Sequence, residues 1–510
     1  MRRWPLYITV FALALRLATL NWSLLWYDEA YTAIIVKRPF FEMLKAIAGD
    51  THPPLWYLFE WVTVRLFGSS ELALRLPAAM FSSLAVLESY FLARKLSGDN
   101  AARWASGVMA LLPGQIYYGQ EARMYSLLTV LVLFGARAVL DKRWLRLGLA
   151  AALIVYTQNL GAIYVALLAA WGLWQSKGRA FKYLTVAGLA YAPWLPTLWG
   201  QLTAYNTGFW LPPMGNAGGA LYWLSFTTVF SRLPDWLSIH GVVLAFGTTV
   251  IAAFTLRNQF VKLAPLFGLA FAPPLLLTLI SALWRPVLLD RALLPSGAAV
   301  GMLWGIAATE LPSWGKKVYA AFALPVIVLI VLSYYIDPTR QRARFDPVVN
   351  LIKASWQEGD AIYHLSLSSY IGYDYLLPDL PAFVLPDAGN LAASLSEQTK
   401  EGFGIKEHEA LISDIEAGHY RRVWLFITES PVSSQFEMAQ SRQILAAYPV
   451  IEHWQVLHRD LVDFRIALID LSPESCPAIC RAENNWCHPT PKPCTDTWCD
   501  PAVYRCEVGR

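Results

Sequence analysis

Long apolar runs recur along this chain and stop near residue 336. An α-helix needs about 20 such residues to cross a bilayer core, where backbone polar groups are satisfied only within helices or closed barrels. The runs fall near 4–26, 72–93, 104–118, 124–140, 145–157, 159–175, 181–199, 237–256, 260–282, 292–310 and 318–336. They predict about eleven spanning helices. With 56% hydrophobic residues, 15% charged and a mean hydropathy of +0.39, the chain is too apolar for a soluble enzyme. The fold class expected is a polytopic α-helical membrane protein.

Basic residues set the expected orientation. Arg2, Arg3, Arg94, Lys95, Arg103, Arg137, Lys142, Arg143, Arg146, Lys177, Arg179, Lys182, Arg257, Lys262, Lys316 and Lys317 fall on one side if the N-terminus is cytoplasmic. The opposite side carries Arg75, Arg123, Arg232, Arg285 and Arg291 at span mouths and loops, with Lys37, Arg38, Lys45 and Arg65 in the first loop. The positive-inside rule accounts for the first set, so the outer arginines need another reason. The first run is long and ends without a small-residue cleavage site, so it reads as an anchor in the cytoplasmic (plasma) membrane. The net charge of +4 is spread over the loops and implies no nucleic-acid partner.

An odd number of spans leaves everything after residue 336 outside. Three regions result: a membrane domain over 1–336, an extracytoplasmic α/β domain over 337–472, and a Cys-rich tail over 473–510. In the second, a helical pattern follows Pro347 and ends at Glu358-Gly359-Asp360, and 435–447 is also helical. Segments 361–365, 422–427 and 464–469 have strand character, so helix and strand alternate as in an α/β layer. All six cysteines (Cys476, Cys480, Cys487, Cys494, Cys499 and Cys506) lie in the tail. That usage suits disulfides in an oxidising compartment. A zinc knot using His488 is the alternative, although no Cys-x-x-Cys pair is present.

The candidate chemistry lies at the outer boundary. Asp28 and Glu29 begin the first outer loop, 27–71, whose segments 31–37, 40–48 and 54–67 are amphipathic and suit the interface. His52-Pro53-Pro54 breaks the chain between them. Arg75 opens the second span. Tyr117-Tyr118-Gly119-Gln120-Glu121-Ala122-Arg123-Met124-Tyr125 forms the next outer corner, and Arg291 precedes a later span in Asp290-Arg291-Ala292-Leu293-Leu294-Pro295. Singly, each has an ordinary reading: a solvent-facing acid pair, a turn, snorkelling interface anchors. Together they place carboxylates and several guanidinium groups on one side and at one depth. Ionisable groups at membrane depth are usually functional, and guanidinium binds phosphate bidentately. The outer loop Asn206–Pro213 offers Phe209 and Trp210 to lipid or to a sugar face. Neither a Walker loop nor a His-Glu-x-x-His motif is present.

The series Asp28-Glu29, His52-Pro53-Pro54-Leu55, Phe67-Gly68 with Arg75-Leu76-Pro77-Ala78, Gln120-Glu121-Ala122-Arg123-Met124-Tyr125, and Arg291 resembles the dolichyl-phosphate-mannose protein mannosyltransferases. It is similar, too, to the bacterial aminoarabinose lipid A transferases; both are GT-C membrane glycosyltransferases. The resemblance covers about residues 4–336 and is densest in the first 130. It implies a GT-C-like fold, a polyprenyl-phosphate sugar donor and catalysis on the outer face of the membrane. It maps the family's candidate base to Asp28, with Glu29 beside it, the family's arginine before the second span to Arg75, and the one after the third span to Arg123. Tyr125 and Ser126 stand where several relatives have a second aspartate, and the chain lacks the mannosyltransferases' inserted lectin-like module.

The function expected is inverting transfer of a sugar to an acceptor hydroxyl, with Asp28 as base. Arg75, Arg123 and Arg291 would bind the donor phosphate, and His52, Glu121 and Tyr125 would position substrate. The acceptor would be a protein, a glycolipid or an envelope glycan. No cofactor is required if arginines neutralise one phosphate. A diphosphate donor would bring in a divalent metal, with Glu29, His52 and Glu121 as ligand candidates. The alternative is a polytopic transporter or lipid flippase, which would place its charges near the midplane, often in internal repeats. No repeat is visible here.

Overall fold

A computed structural model describes residues 3–204, 217–229, 235–336, 346–365, 367–384, 400, 405, 420–429, 450–456 and 463–470. The six cysteines, the 206–213 loop, Arg232 and the 435–447 segment lie outside them. Two compact units result: residues 1–22, 35–206 and 211–341 form the first, and 23–34, 207–210 and 342–510 the second.

The chain begins with α1 (Trp4–Leu17), α2 (Tyr27–Lys37), α3 (Phe40–Gly49) and α4 (Leu55–Phe67). Next come α5 (Glu71–Leu111), α6 (Pro113–Tyr118), α7 (Tyr125–Leu140), α8 (Trp144–Thr157), α9 (Ala162–Ser176) and α10 (Phe181–Tyr191). They are followed by α11 (Leu195–Ala204), α12 (Ala217–Thr228), α13 (Asp235–Thr255), α14 (Phe260–Leu283), α15 (Leu294–Glu310) and α16 (Ser313–Ile336). Among the described residues, four helical stretches are long and apolar enough to cross a membrane: Glu71–Leu111, Arg257–Leu283, Asp290–Glu310 and Ser313–Ile336. Four shorter apolar helices accompany them, including α1, α7 and α8. Large apolar side chains face outward, Val261 at 87% and Leu283 at 84% exposure, as a lipid surround requires. This is a multi-pass membrane protein.

Local chemistry explains where the helices stop. The first apolar run is helical only to Leu17, because Thr19, Asn21 and Ser23 offer the backbone local alternatives to helix. Pro54 caps α4 at its start, and Gly68, at φ +80°, ends it while donating to the Val64 carbonyl at 2.9 Å. Ser70 then caps α5, its hydroxyl accepting from the Ala73 amide at 3.3 Å. The runs expected near 72–93 and 104–118 merge into α5, bent at Gly98 (φ +87°), with α6 restarting at Pro113. Asp99 beside that bend pairs with Arg94 and Arg103, both at 3.1 Å, and Lys95 reaches Asp141 at 2.7 Å. The Lys95–Asp141 pair brings the 94–103 basic cluster to the end of α7, next to Lys142 and Arg143.

Helix α15 forms the centre of the first unit. It is buried along nearly its whole length and packs against α5, α7, α13 and α14. Gly297, Gly301 and Gly305 repeat every four residues on it, a stripe that lets helix backbones approach closely. Between α5 and α7, Arg137 pairs with Glu88 through two contacts of 2.7 and 2.8 Å.

In the second unit, α17 (Asp346–Ser355) leads to β1 (Asp360–His364), then α18 (Leu367–Leu376), β2 (Ala382–Val384), β3 (Arg422–Glu429), β4 (Val450–Val456) and β5 (Asp463–Asp470). The sheet order is β2-β1-β3-β5-β4, with β1 parallel to both its neighbours and β5 antiparallel to β3 and β4. Every residue of β1 is buried, as a central parallel strand covered on both faces should be. Arg422 grips Asp360 at 2.8 and 2.6 Å and also donates to the Ser355 carbonyl at 2.6 Å, while the Trp424 indole donates to Asp360 at 3.0 Å.

Candidate active site

The connection between α3 and α4 carries His52. Asp50 closes α3, its amide donating to the Ile47 carbonyl at 3.1 Å, and Pro53 and Pro54 lock the exit. The Thr51 carbonyl is held by the Asn159 side-chain amide at 2.8 Å. His52 Nδ1 lies 2.8 Å from Asp50 Oδ2 and 3.0 Å from Thr51 Oγ1. On the far side of the ring, Nε2 lies 3.1 Å from Arg123 Nη2. Burial is the main force pushing the His52 pKa below 6.5; Asp50 opposes it, and Arg123 and Arg291 add to it.

Arg123 belongs to the turn between α6 and α7, where its amide donates to the Glu121 carbonyl at 2.6 Å. Both side chains are buried, as is Tyr125 at the start of α7. Arg291, in the short 3-10 helix Asp290–Leu293, stands 5.7 Å over the Tyr125 ring, within cation–π range. Tyr125 packs in turn on Tyr118 with ring centres 5.3 Å apart. Residues distant in sequence (His52, Arg123, Tyr125 and Arg291) thus converge in one cluster. Arg75 is fully buried in α5 and donates to the Leu20 carbonyl at 2.5 Å.

Asp28 and Glu29 fall in the second compact unit, in the first turn of α2. Carboxylates are favoured there by the helix dipole. Both are buried, and the Asp28 carbonyl accepts from Thr32 Oγ1 at 3.1 Å. Among the described residues, no group of three or more His, Cys, Asp or Glu side chains could hold a metal ion.

Three features are absent from the sequence expectations. Asp50 is one. Asn159 is a second. The third is Arg16, which lies wholly buried within α1 and donates through Nε to Ser82 Oγ at 2.6 Å and through Nη1 to the Ala12 and Ala110 carbonyls at 3.1 and 3.3 Å. Gln120 Nε2 donates to the Arg16 carbonyl at 2.8 Å, and the Tyr334 hydroxyl donates to Gln120 Oε1. This network anchors the residue next to Glu121, so it fixes the corner from which Arg123 projects. An arginine deep inside an apolar run is itself a signal that it has partners.

Residues 51–199 match the family model for dolichyl-phosphate-mannose-protein mannosyltransferase. No curated protein matches the chain. Among solved structures, the chain is similar to ArnT from Cupriavidus metallidurans in the apo state, at 16% identity and TM-score 0.61, covering 92% of this chain and 98% of that one. ArnT from the same organism bound to undecaprenyl phosphate matches at 15% identity and TM-score 0.54, with the same coverage. The fold is therefore that of ArnT, shared at low sequence identity. Within it, residues 51–199 carry the signature of the dolichyl-phosphate-mannose-protein mannosyltransferases, as the motif resemblance implied.

Proposed function

We propose that this protein is a glycosyltransferase that moves a sugar from a polyprenyl-phosphate donor to an acceptor hydroxyl on the outer face of the membrane. The observation that carries the reading is the cluster of Arg123 on His52 and Arg291 over Tyr125, most of it within the family-matched segment. Guanidinium groups in a low-dielectric setting suit a phosphate whose charge grows as it leaves. That the similarly folded ArnT was solved with undecaprenyl phosphate supports a lipid phosphate as the ligand.

Asp28 takes the proton of the acceptor hydroxyl as its oxygen attacks the anomeric carbon. The bond from that carbon to the phosphate oxygen breaks, and its electron pair leaves with the polyprenyl phosphate. One displacement inverts the anomeric configuration. Arg75, Arg123 and Arg291 neutralise the departing phosphate, with Glu29, His52, Glu121 and Tyr125 orienting the groups around it. Under this reading the N-terminus is cytoplasmic. Residues 337–472 form an extracytoplasmic α/β domain, 473–510 form a disulfide-stapled tail, and the acceptor is a protein, a glycolipid or an envelope glycan.

The test is transfer of radiolabelled sugar from total polyprenyl-phosphate sugars by purified wild type and Asp28→Asn. Loss of the base is expected to slow transfer by about 10²–10⁴ at unchanged thermal stability. Equal rates would remove Asp28 from the mechanism. Absence of transfer by the wild type across several donors and acceptors would favour a transporter.

A further inference from the structure

The two sides of the His52 ring impose opposite demands. Asp50 Oδ2, 2.8 Å from Nδ1, belongs to a carboxylate, which only accepts when ionised. Arg123 Nη2, 3.1 Å from Nε2, belongs to a guanidinium, which only donates. One form of imidazole satisfies both: the proton sits on Nδ1 and the lone pair on Nε2. The other tautomer sets acceptor against acceptor and donor against donor, and the charged ring sets donor against donor at Nε2. The loop itself is built to hold this ring, with Asp50 terminating α3, the Thr51 carbonyl tied to Asn159, and two prolines following.

We infer that Asp50 and His52 are positioning residues that aim the Arg123 guanidinium at the donor phosphate, and that the relay works only while the ring is uncharged. The inference rests on the reading of this site as a lipid-phosphate-sugar transferase. Anchoring one Nη2 hydrogen on Nε2 fixes the plane of the guanidinium fork, and bidentate phosphate binding depends on that plane. His52 is thereby excluded as the general base, because its lone pair is committed to Arg123.

The charged and titratable groups facing His52 are Asp50 from the end of α3, Arg123 from the α6–α7 turn and Arg291 from the segment before α15, with the Tyr57 ring of α4 centred 6.5 Å away. Of these, Asp50 alone favours the charged ring. Burial and the two arginines outweigh it, so the ring stays neutral at pH 7. Acid should therefore weaken donor binding with a midpoint below 6.5.

Nitrogen NMR of the full-length protein labelled with ¹⁵N-histidine reads the relay directly, the His52 signals being assigned by their loss in His52→Gln. A protonated Nδ1 and a bare Nε2 at pH 7 are expected; a protonated Nε2 overturns the inference. Steady-state transfer gives the functional arm. His52→Ala and Asp50→Ala should raise the donor KM about 10- to 100-fold, the usual loss for a hydrogen bond to a charged group, and leave the acceptor KM unchanged. Gln in place of His keeps an acceptor near the Nε2 position but does not titrate. His52→Gln should recover part of the loss and abolish the acid limb of the donor profile. Asp50→Asn, which retains an acceptor without the charge, should fall between wild type and Asp50→Ala. If His52→Gln is as impaired as His52→Ala at wild-type thermal stability, or if the acid limb survives in it, the positioning role is wrong. A wild type that transfers no sugar overturns the functional reading and the donor role with it, while the tautomer still judges the relay itself.

Discussion

Replacing Gly305 with alanine tests whether the small-residue stripe of α15 holds the membrane unit together. A Cβ at this position would lie 2.5 Å from both the amide nitrogen and the Cα of Ala105, and 2.7 Å from the Trp104 carbonyl carbon. Ordinary contact begins at 3.4 Å, and the atoms met are backbone, so no side chain can swing aside. Helices α15 and α5 must part by about 1 Å, in a close-packed interior that does not readily absorb such a shift. Overpacking of this kind costs about 1–3 kcal/mol, roughly a 5- to 150-fold change in the folded-to-unfolded ratio. Gly247 on α13 is the control: it is exposed, and its added Cβ would meet nothing within 4 Å. There alanine should stabilise, by about 0.5–1 kcal/mol, through helix propensity alone. Thermal unfolding of the detergent-solubilised full chain should thus move in opposite directions for Gly305→Ala and Gly247→Ala. Arg291 lies about 20 Å along the same segment from Gly305, so transfer per folded molecule should stay near wild type below the transition. Equal melting shifts for the two variants would refute the close-packing argument.

Four further outcomes are expected. Asp28→Asn should lose transfer by about 10²–10⁴ without losing stability, as measured with radiolabelled donor. Asp50→Ala and His52→Ala should raise the donor KM about 10- to 100-fold, with partial recovery in His52→Gln. Burial holds the His364 pKa down at about 3, against 6.5 for the exposed ring, so the unfolded chain takes up a proton that the folded one refuses. Its contribution is complete above pH 6.5 and is lost as pH falls toward 3, by up to about 1.4 kcal/mol per pH unit; urea unfolding at pH 7 and 5 should show a smaller drop for His364→Phe. Arg422→Ala should destabilise by about 3–5 kcal/mol, because it strips Asp360 of its buried cation, and Arg422→Lys should not restore the forked contact in a denaturation midpoint.

The sequence showed what depends on local pattern and on residue type at a boundary. Apolar runs marked the helices, the amphipathic segments near 31–37, 40–48 and 54–67 became α2, α3 and α4, and the strand signals at 361–365, 422–427 and 464–469 fell on β1, β3 and β5. Arg123 and Arg291 stand out because cations on the outer side run against the positive-inside rule, and His52 and Tyr125 through the family motifs that contain them. Their convergence was not legible, since it depends on tertiary packing that brings the α3–α4 connection to the α6–α7 turn. Asp50 escaped for a related reason. A lone aspartate at the end of an interfacial helix is ordinary in sequence, and only the ring placed against it gives the carboxylate a task. Arg16 and the Gly297-Gly301-Gly305 stripe are different, because both signals were present in the sequence: a charge inside an apolar run, and small residues every fourth position. Runs identified by mean hydropathy hide both, since averaging removes the single cation and treats glycine as merely neutral. In a chain whose helices all look alike in hydropathy, the departures from it carry the information about which helix meets which. Arg16 fastens α1 to Ser82 of α5, and Gln120 fastens the corner that carries Arg123 to α1. That bracing ties the turn carrying Arg123, whose guanidinium meets His52 Nε2 at 3.1 Å, to α1 and through Arg16 to α5.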